Sequence, residues 1–298
     1  MSRLRAVAPF ALLAVLWGFS FPAISVGLRE IPPVLFASFR YDVAAVLLLA
    51  AAVATTEWRP RTRGDWEAVL GGGVFLVAGN GFLFVGQQTV PSGIAAIIQG
   101  LVPIATALWA MAVLGDRVST VGWLGILVGF LGVGLVVRPT PANLLAGDLT
   151  GRLLVVVQVA FVSLGGVLVE RADSSLDAIP RAGWSMFVGA VVLHTASLAL
   201  GEPVANGYPL VAVGAVLYLG VFATALAFGL FFTLLDRYGA LETSLVGYVV
   251  PVVATVVGVA FLEESITAVS LVGFAVVFVG FALLKRESLR ELAVARYG

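Results

Sequence analysis

Part of this chain repeats itself. Residues 92–138 recur, shifted by 148 positions, as residues 240–286. Gly100-Leu-Val-Pro103, Leu114-Gly-Asp116, Gly125, Gly132, Leu135 and Arg138 fall on Tyr248-Val-Val-Pro251, Leu262-Glu-Glu264, Gly273, Gly280, Leu283 and Arg286. Prolines, acidic turn and small residues coincide without a gap, and such self-similarity constrains architecture before any local pattern does. Each copy reads as two apolar segments joined by a short acidic turn.

Those segments belong to a bilayer. Sixty per cent of residues are hydrophobic, 11% are charged and the mean hydropathy is +1.08, whereas soluble domains carry about 25% charged residues. A membrane helix needs about 20 apolar residues. Ten stretches qualify: 6–28, 34–54, 68–86, 92–114, 119–137, 153–170, 182–200, 210–235, 242–262 and 268–284. The absence of cysteine excludes disulfides, thiolate metal sites and cysteine nucleophiles. Arg3 and Arg5 before the first stretch imitate a secretory signal, but no small-x-small cleavage site follows and the run is too long, so it reads as a retained helix.

Cytoplasmic loops are enriched in Lys and Arg. With the N-terminus inside, thirteen basic residues fall in the cytoplasm (among them Arg59, Arg61, Arg63, Arg117, Arg171, Arg181 and Arg237) and three outside (Arg29, Arg138 and Arg152). An even number of spans then puts both termini in the cytoplasm. The 148-residue shift carries spans two to five onto seven to ten and the first roughly onto the sixth. The chain therefore divides into residues 1–148 and 149–298, with five spans in each. An odd count forces the halves into opposite orientations, the inverted-repeat plan in which a substrate site lies near the midplane. The expected fold is an all-α integral membrane protein of ten transmembrane helices in two inverted five-helix repeats. Residues 285–298, with Leu289, Leu292 and Val294 among charges, have the composition of a short interfacial helix.

Gln87-Gln88-Thr-Val-Pro-Ser-Gly-Ile-Ala-Ala96, Val102-Pro103, Leu114-Gly-Asp-Arg117, Gly125 and Gly132-Val133, with Trp17-Gly-Phe-Ser-Phe-Pro22 and Phe39-Arg40 upstream, resemble the EamA repeat of the drug/metabolite transporter superfamily. Many members have Gly-Glu where this chain has Gly115-Asp116, a conservative departure. The resemblance implies ten helices, cytoplasmic termini and a central cavity lined mainly by spans 1, 3, 4, 6, 8 and 9. It also implies kinship with bacterial exporters of amino acids and related metabolites.

Proline in a helix strips the carbonyl four residues earlier of its donor. Pro22 does so for Gly18, Pro103 for Gln99 and Pro251 for Gly247. Within a bilayer, free backbone is tolerated only where it is buried in protein or lines a wet cavity. The three prolines are therefore read as kinks whose freed carbonyls either face substrate or are satisfied by a neighbouring helix or water. Polar side chains at membrane depth face the bundle interior. Asn80, Phe84 and either Gln87 or Gln88 share one face of the third span, Gln99 sits in the fourth, Gln158 and Phe161 in the sixth, Tyr248 in the ninth and Trp17 in the first. Together these aromatic and amide groups suit a zwitterion or small amphipathic molecule.

Arg40 is the basic residue deep in a span, and Asp42, two positions on, cannot face it on a helix. It reads either as a capture site for a carboxylate or as an anchor of the second helix. The resemblance places that helix outside the cavity and so favours the anchor. His194 reads as a satisfied core residue, and Glu170 and Asp236 as interface charges. No metal, nucleophile-base or phosphate-loop motif is present, and Gly71-Gly72-Gly73 reads as helix packing. No catalytic residue, metal or cofactor is expected. The expected partners are the lipid bilayer and a small-molecule substrate rather than nucleic acid, and no oligomeric state is indicated. Amino-acid export by alternating access leads. A sugar-nucleotide carrier is disfavoured because phosphates call for several pocket Lys or Arg, and an integral-membrane enzyme lacks a reactive pair. With only amides, hydroxyls and aromatics on the cavity face, no obligatory proton coupling is expected.

Overall fold

The computed structural model describes residues 3–55, 57–137, 147–231, 234, 246–284 and 286. Within them every regular element is helical. Eight helices are long and apolar enough to cross a membrane: α1 (Ala8–Gly27), α2 (Pro33–Ala54), α3 (Arg63–Gly86), α4 (Ser92–Val113), α5 (Thr120–Val137), α6 (Leu149–Arg171), α7 (Ala178–Ala199) and α8 (Leu210–Phe231). Two apolar helices of 17 residues complete the set, α9 (Val246–Leu262) and α10 (Ala268–Leu284). The expected all-α membrane fold is what forms. Hydrocarbon offers no hydrogen bonds, so each span must satisfy its backbone internally, and the helix does this. Asp236, Arg237 and, apart from residue 286, the tail read as interfacial lie outside the described residues.

The helices pair in a pattern that follows the repeat. α2 packs on α7 and α5 on α10, each against the helix it matches under the 148-residue shift. α1 packs on α9 and α4 on α6, two pairs that the same shift exchanges.

Between α5 and α10 the backbones touch. A Cβ on Gly125 would lie 2.5 Å from the Gly280 carbonyl oxygen, one on Gly132 2.6 Å from the Val277 nitrogen, and one on Gly280 2.5 Å from the Gly129 nitrogen. Rigid backbone cannot yield as a side chain can, so small residues here are a condition of the contact. The outward faces carry Leu124, Leu127, Leu131, Val272 and Val279, all exposed and apolar, as a lipid-facing surface requires.

Carboxylates from one half hold helix starts of the other. Glu202, after α7, accepts from the Val34 (3.1 Å) and Leu35 (2.8 Å) backbone N–H groups that open α2. Conversely, fully buried Asp65, in the first turn of α3, accepts from Ser175 N–H (2.7 Å), Leu176 N–H (3.2 Å) and the Ser174 hydroxyl (2.9 Å) ahead of α7. It also completes a capping box with Thr62. Glu264, after α9, receives Ser92 N–H (2.9 Å) and its hydroxyl (2.8 Å) at the start of α4. Each acid meets orphan donors at the positive end of a helix. At the far end of α5, Arg152 donates to the Val136 carbonyl (2.7 Å).

Gly280→Val should force α5 and α10 apart at a cost of about 1–3 kcal/mol and lower the melting temperature in detergent. Gly134→Val, on the same α5 but with nothing within 4 Å of its Cβ position, should leave that temperature unchanged.

Candidate functional site

The spans that meet in the middle of the bundle are not wound regularly. α1 is interrupted at Phe19, between helical segments Arg3–Gly18 and Ser20–Gly27. α3 runs through a π-helical segment, Gly72–Val77, and then a 3-10 turn, Ala78–Asn80. α4 has a 3-10 turn at Gln99–Leu101, ahead of Pro103, and α8 a π-helical segment at Tyr218–Leu226. The 148-residue shift lays 72–77 on 220–225, inside the wide segment of α8. Both wide segments contain Gly-Val-Phe (Gly73-Val74-Phe75 and Gly220-Val221-Phe222). In both, the glycine lets a neighbour approach: Cβ positions on Gly73 and Gly220 would lie 2.7 Å from Val188 and 2.5 Å from Val43. π-segments gather at functional sites; the one in α3 borders a cavity through Leu76 and Val77, and the one in α8 ends two residues before Phe228, which lines it too.

That cavity has a volume of about 420 Å³, suited to one small molecule. Asn80, Gln99 and Gln158 supply amides to its wall, Trp17, Phe228 and Phe231 an aromatic surface, and Arg40 a positive charge. The Trp17 ring lies 5.6 Å from Phe231 and 6.3 Å from Phe228, the latter edge-on. Asn80 donates to the Leu76 carbonyl (2.8 Å) in the π segment and accepts from Gln158 Nε2 (3.1 Å). Gln158 is 1% exposed, and its Oε1 accepts nothing from the described residues. The Gln99 side chain faces the cavity with no hydrogen bond to a described residue. A shallower crevice of about 340 Å³ on the flank of α1, α8 and α9 has Tyr218 as its one polar side chain, and that hydroxyl already donates to the Leu16 carbonyl.

Several residues singled out in the sequence lie elsewhere. The 3-10 turn that ends at Asn80 sends Leu83 into the cavity, while Phe84 packs fully buried and edge-on against Phe36, at 5.2 Å. Gln88 is exposed in the turn after α3. Its neighbour Gln87 is buried and donates to the Phe21 carbonyl (3.1 Å), tying α3 to the broken α1. Phe161 lies against Phe82 (5.2 Å) and Phe75 (5.8 Å) instead of the cavity. The Tyr248 side chain lies outside the described residues, although Gly247 and Val250 beside it line the cavity.

The prolines behave differently from one another. Pro103 lines the cavity, but the Gln99 carbonyl it strips is taken up by Val102 N–H, the bond that makes the 3-10 turn. Pro251 lies inside a continuous α9. Pro22 faces the flank crevice, while Ser20 and Phe21 line the cavity.

Spans 2 and 7 contribute as well, through Arg40, Tyr41 and Met186, against the expectation that they stay outside. Arg40 does not reach outward as an anchor would. It is 8% exposed, and its Nε donates to Thr224 Oγ1 (2.8 Å) in the π segment of α8, whose hydroxyl donates on to the Leu219 carbonyl (2.7 Å). Asp42 is paired with His194 at 2.8 Å, and the other ring nitrogen meets Ser38 Oγ at 3.2 Å. The histidine is therefore one member of a dyad between α2 and α7, beyond the cavity lining. Among the described residues no group of three or more His, Asp or Glu could hold a metal.

The sequence profile of the EamA-like transporter family matches residues 5–138 and again residues 149–286. The chain belongs to the EamA-like transporter family. It is a multi-pass membrane transporter of the drug/metabolite transporter superfamily. The "Uncharacterized inner membrane transporter YedA" of Escherichia coli strain K12 is 30% identical over 273 residues, which cover 90% of this chain and 88% of that protein. The "Uncharacterized transporter YvbV" of Bacillus subtilis is 24% identical over 99% of this chain and 96% of its own. A chloroplastic WAT1-related protein of Arabidopsis thaliana is 27% identical over 90% of this chain and 66% of its own. A solved crystal structure with 20% identity superposes at a TM-score of 0.64, covering 95% of this chain and 98% of that one, so the likeness extends to the whole fold.

In this transporter, Asn80 and Gln99 differ in what their loss leaves behind. Asn80→Ala leaves the buried Gln158 amide without its acceptor, so it should destabilise the protein by about 1–3 kcal/mol as well as impair transport. Gln99→Ala strands nothing and should impair transport with an unchanged melting temperature in detergent.

Proposed function

We propose that this EamA-like transporter exports amino acids or related small metabolites across a bacterial inner membrane by alternating access, with its two five-helix halves inverted and both termini in the cytoplasm. The observation that carries the proposal is the cavity itself. Amides and an aromatic wall converge where four spans lose regular winding, and two of the irregular segments correspond under the 148-residue shift. Irregular backbone at membrane depth belongs beside a cavity, and matched irregular segments in two halves are where a carrier binds its substrate. The basic loops support the orientation, and YedA's printed name supports the inner membrane.

A zwitterion fits the groups present. The amides supply hydrogen-bond acceptors for an ammonium, the rings supply contact area for an apolar side chain, and the site is small. A sugar nucleotide fits less well, since a pyrophosphate needs several cations and the described lining holds Arg40 alone. Asp42 and His194 are paired with each other and lie outside the cavity lining, which favours exchange or facilitated diffusion over obligatory proton coupling.

The test is counterflow in proteoliposomes with a panel of labelled neutral amino acids. Saturable exchange that survives a protonophore is the expected result. A panel in which none exchanges would overturn the amino-acid reading, and accumulation driven by a pH gradient alone would overturn the uncoupled mechanism.

A further inference from the structure

Arg40 presents a problem that the described residues do not solve by themselves. A guanidinium stays charged at any physiological pH, and a buried charge at membrane depth requires a partner. The side chain is 8% exposed and lines the cavity. Yet no carboxylate among the described residues pairs with it. Asp42, the nearest acid in sequence, is engaged by His194 at 2.8 Å. What Arg40 does have is one hydrogen bond, from Nε to Thr224 Oγ1, and the face of the Tyr41 ring 5.2 Å from its Cζ. The ring offsets part of the charge.

The way it is held decides what it is held for. Thr224 spends its proton on the Leu219 carbonyl five residues earlier, so its oxygen is left as an acceptor for Nε. With Nε tethered, the two terminal nitrogens remain, and neither has an acceptor among the described residues. That pair forms the end-on fork that matches the two oxygens of a carboxylate. Across the same cavity Gln158 Oε1 is buried without a donor, and the Gln99 amide is uncommitted.

We propose that Arg40, oriented by Thr224, is the anion-binding residue of the cavity, and that the transported solute is a monocarboxylate carrying an N–H donor that reaches Gln158. The inference rests on the cavity being the transport site and narrows its substrate class. The one cation that the described residues bring to about 420 Å³ matches one carboxylate and disfavours molecules whose recognition needs several anionic groups.

The test is binding to purified protein in detergent, read as the shift of the thermal midpoint with ligand concentration. The probes are matched pairs: L-leucine with L-leucinamide, L-phenylalanine with L-phenylalaninamide, and 3-phenylpropanoate with 3-phenylpropanamide. In the unaltered protein the acid of at least one pair should bind about tenfold or more tightly than its amide, because a hydrogen bond to a charged group is worth a factor of that order. Arg40→Gln should erase the difference, and Arg40→Lys should keep part of it. Equal binding of acid and amide in every pair, no binding by any acid, or an acid preference that survives in Arg40→Gln would overturn the proposal. The matched pairs read the unaltered protein and do not depend on a variant folding. Acids that bind through Arg40 in a protein giving no counterflow would remove the transport mechanism while leaving this assignment in place.

Discussion

In hydrocarbon every backbone N–H and C=O must find its partner within the protein, and the structure follows from how this chain meets that demand. Most of each span meets it by regular helix. Four spans depart from regular winding near the bundle centre: at Phe19, through Gly72–Asn80, at Gln99–Leu101 and through Tyr218–Leu226. Such departures are affordable only beside polar groups, and beside them lie Asn80, Gln99, Gln158 and Arg40. The cavity and the irregular winding are thus one feature. A wide turn puts the Thr224 hydroxyl against Arg40, and another supplies the Leu76 carbonyl that holds Asn80.

Around that centre the two halves are joined by contacts of two kinds. Glycine surfaces bring α5 and α10 to backbone contact, leaving no slack there. Carboxylates reach across to helix starts: Glu202 to α2, Asp65 to the segment ahead of α7, Glu264 to α4. The first kind is apolar and close-packed. The second is made of hydrogen bonds at the helix ends, where water can replace either partner. A carrier that rocks one half against the other needs both: a fixed scaffold and closures whose rupture is cheap in water.

The ten spans were legible because twenty apolar residues in a row have few other uses, and the repeat was legible because prolines, glycines and an acidic turn kept their spacing. Trp17, Asn80, Gln99 and Gln158 could be grouped as polar or aromatic residues at membrane depth, and they line one cavity. A wheel of constant pitch puts Phe84 beside Asn80, and that wheel fails across the π and 3-10 turns of α3; Phe161, on the regular α6, packs on Phe75 and Phe82 of α3 instead. The paired Gly-Val-Phe segments carried the signal for the wide turns but resemble ordinary packing glycines. Arg40 was assigned to an anchoring role because its helix was placed outside the cavity. A single sequence does not reveal that the side chain turns inward to Thr224, 184 residues away.

The central claim is that this cavity is the compartment that opens in turn to the two sides of the membrane. The natural absence of cysteine allows a direct measurement: Gln99→Cys, reacted with a membrane-impermeant maleimide added to either face of sealed vesicles, with and without transported solute. The account predicts modification from both faces, slowed by solute from each. A thiol that reacts from neither face, or from both at rates that solute leaves unchanged, would contradict it.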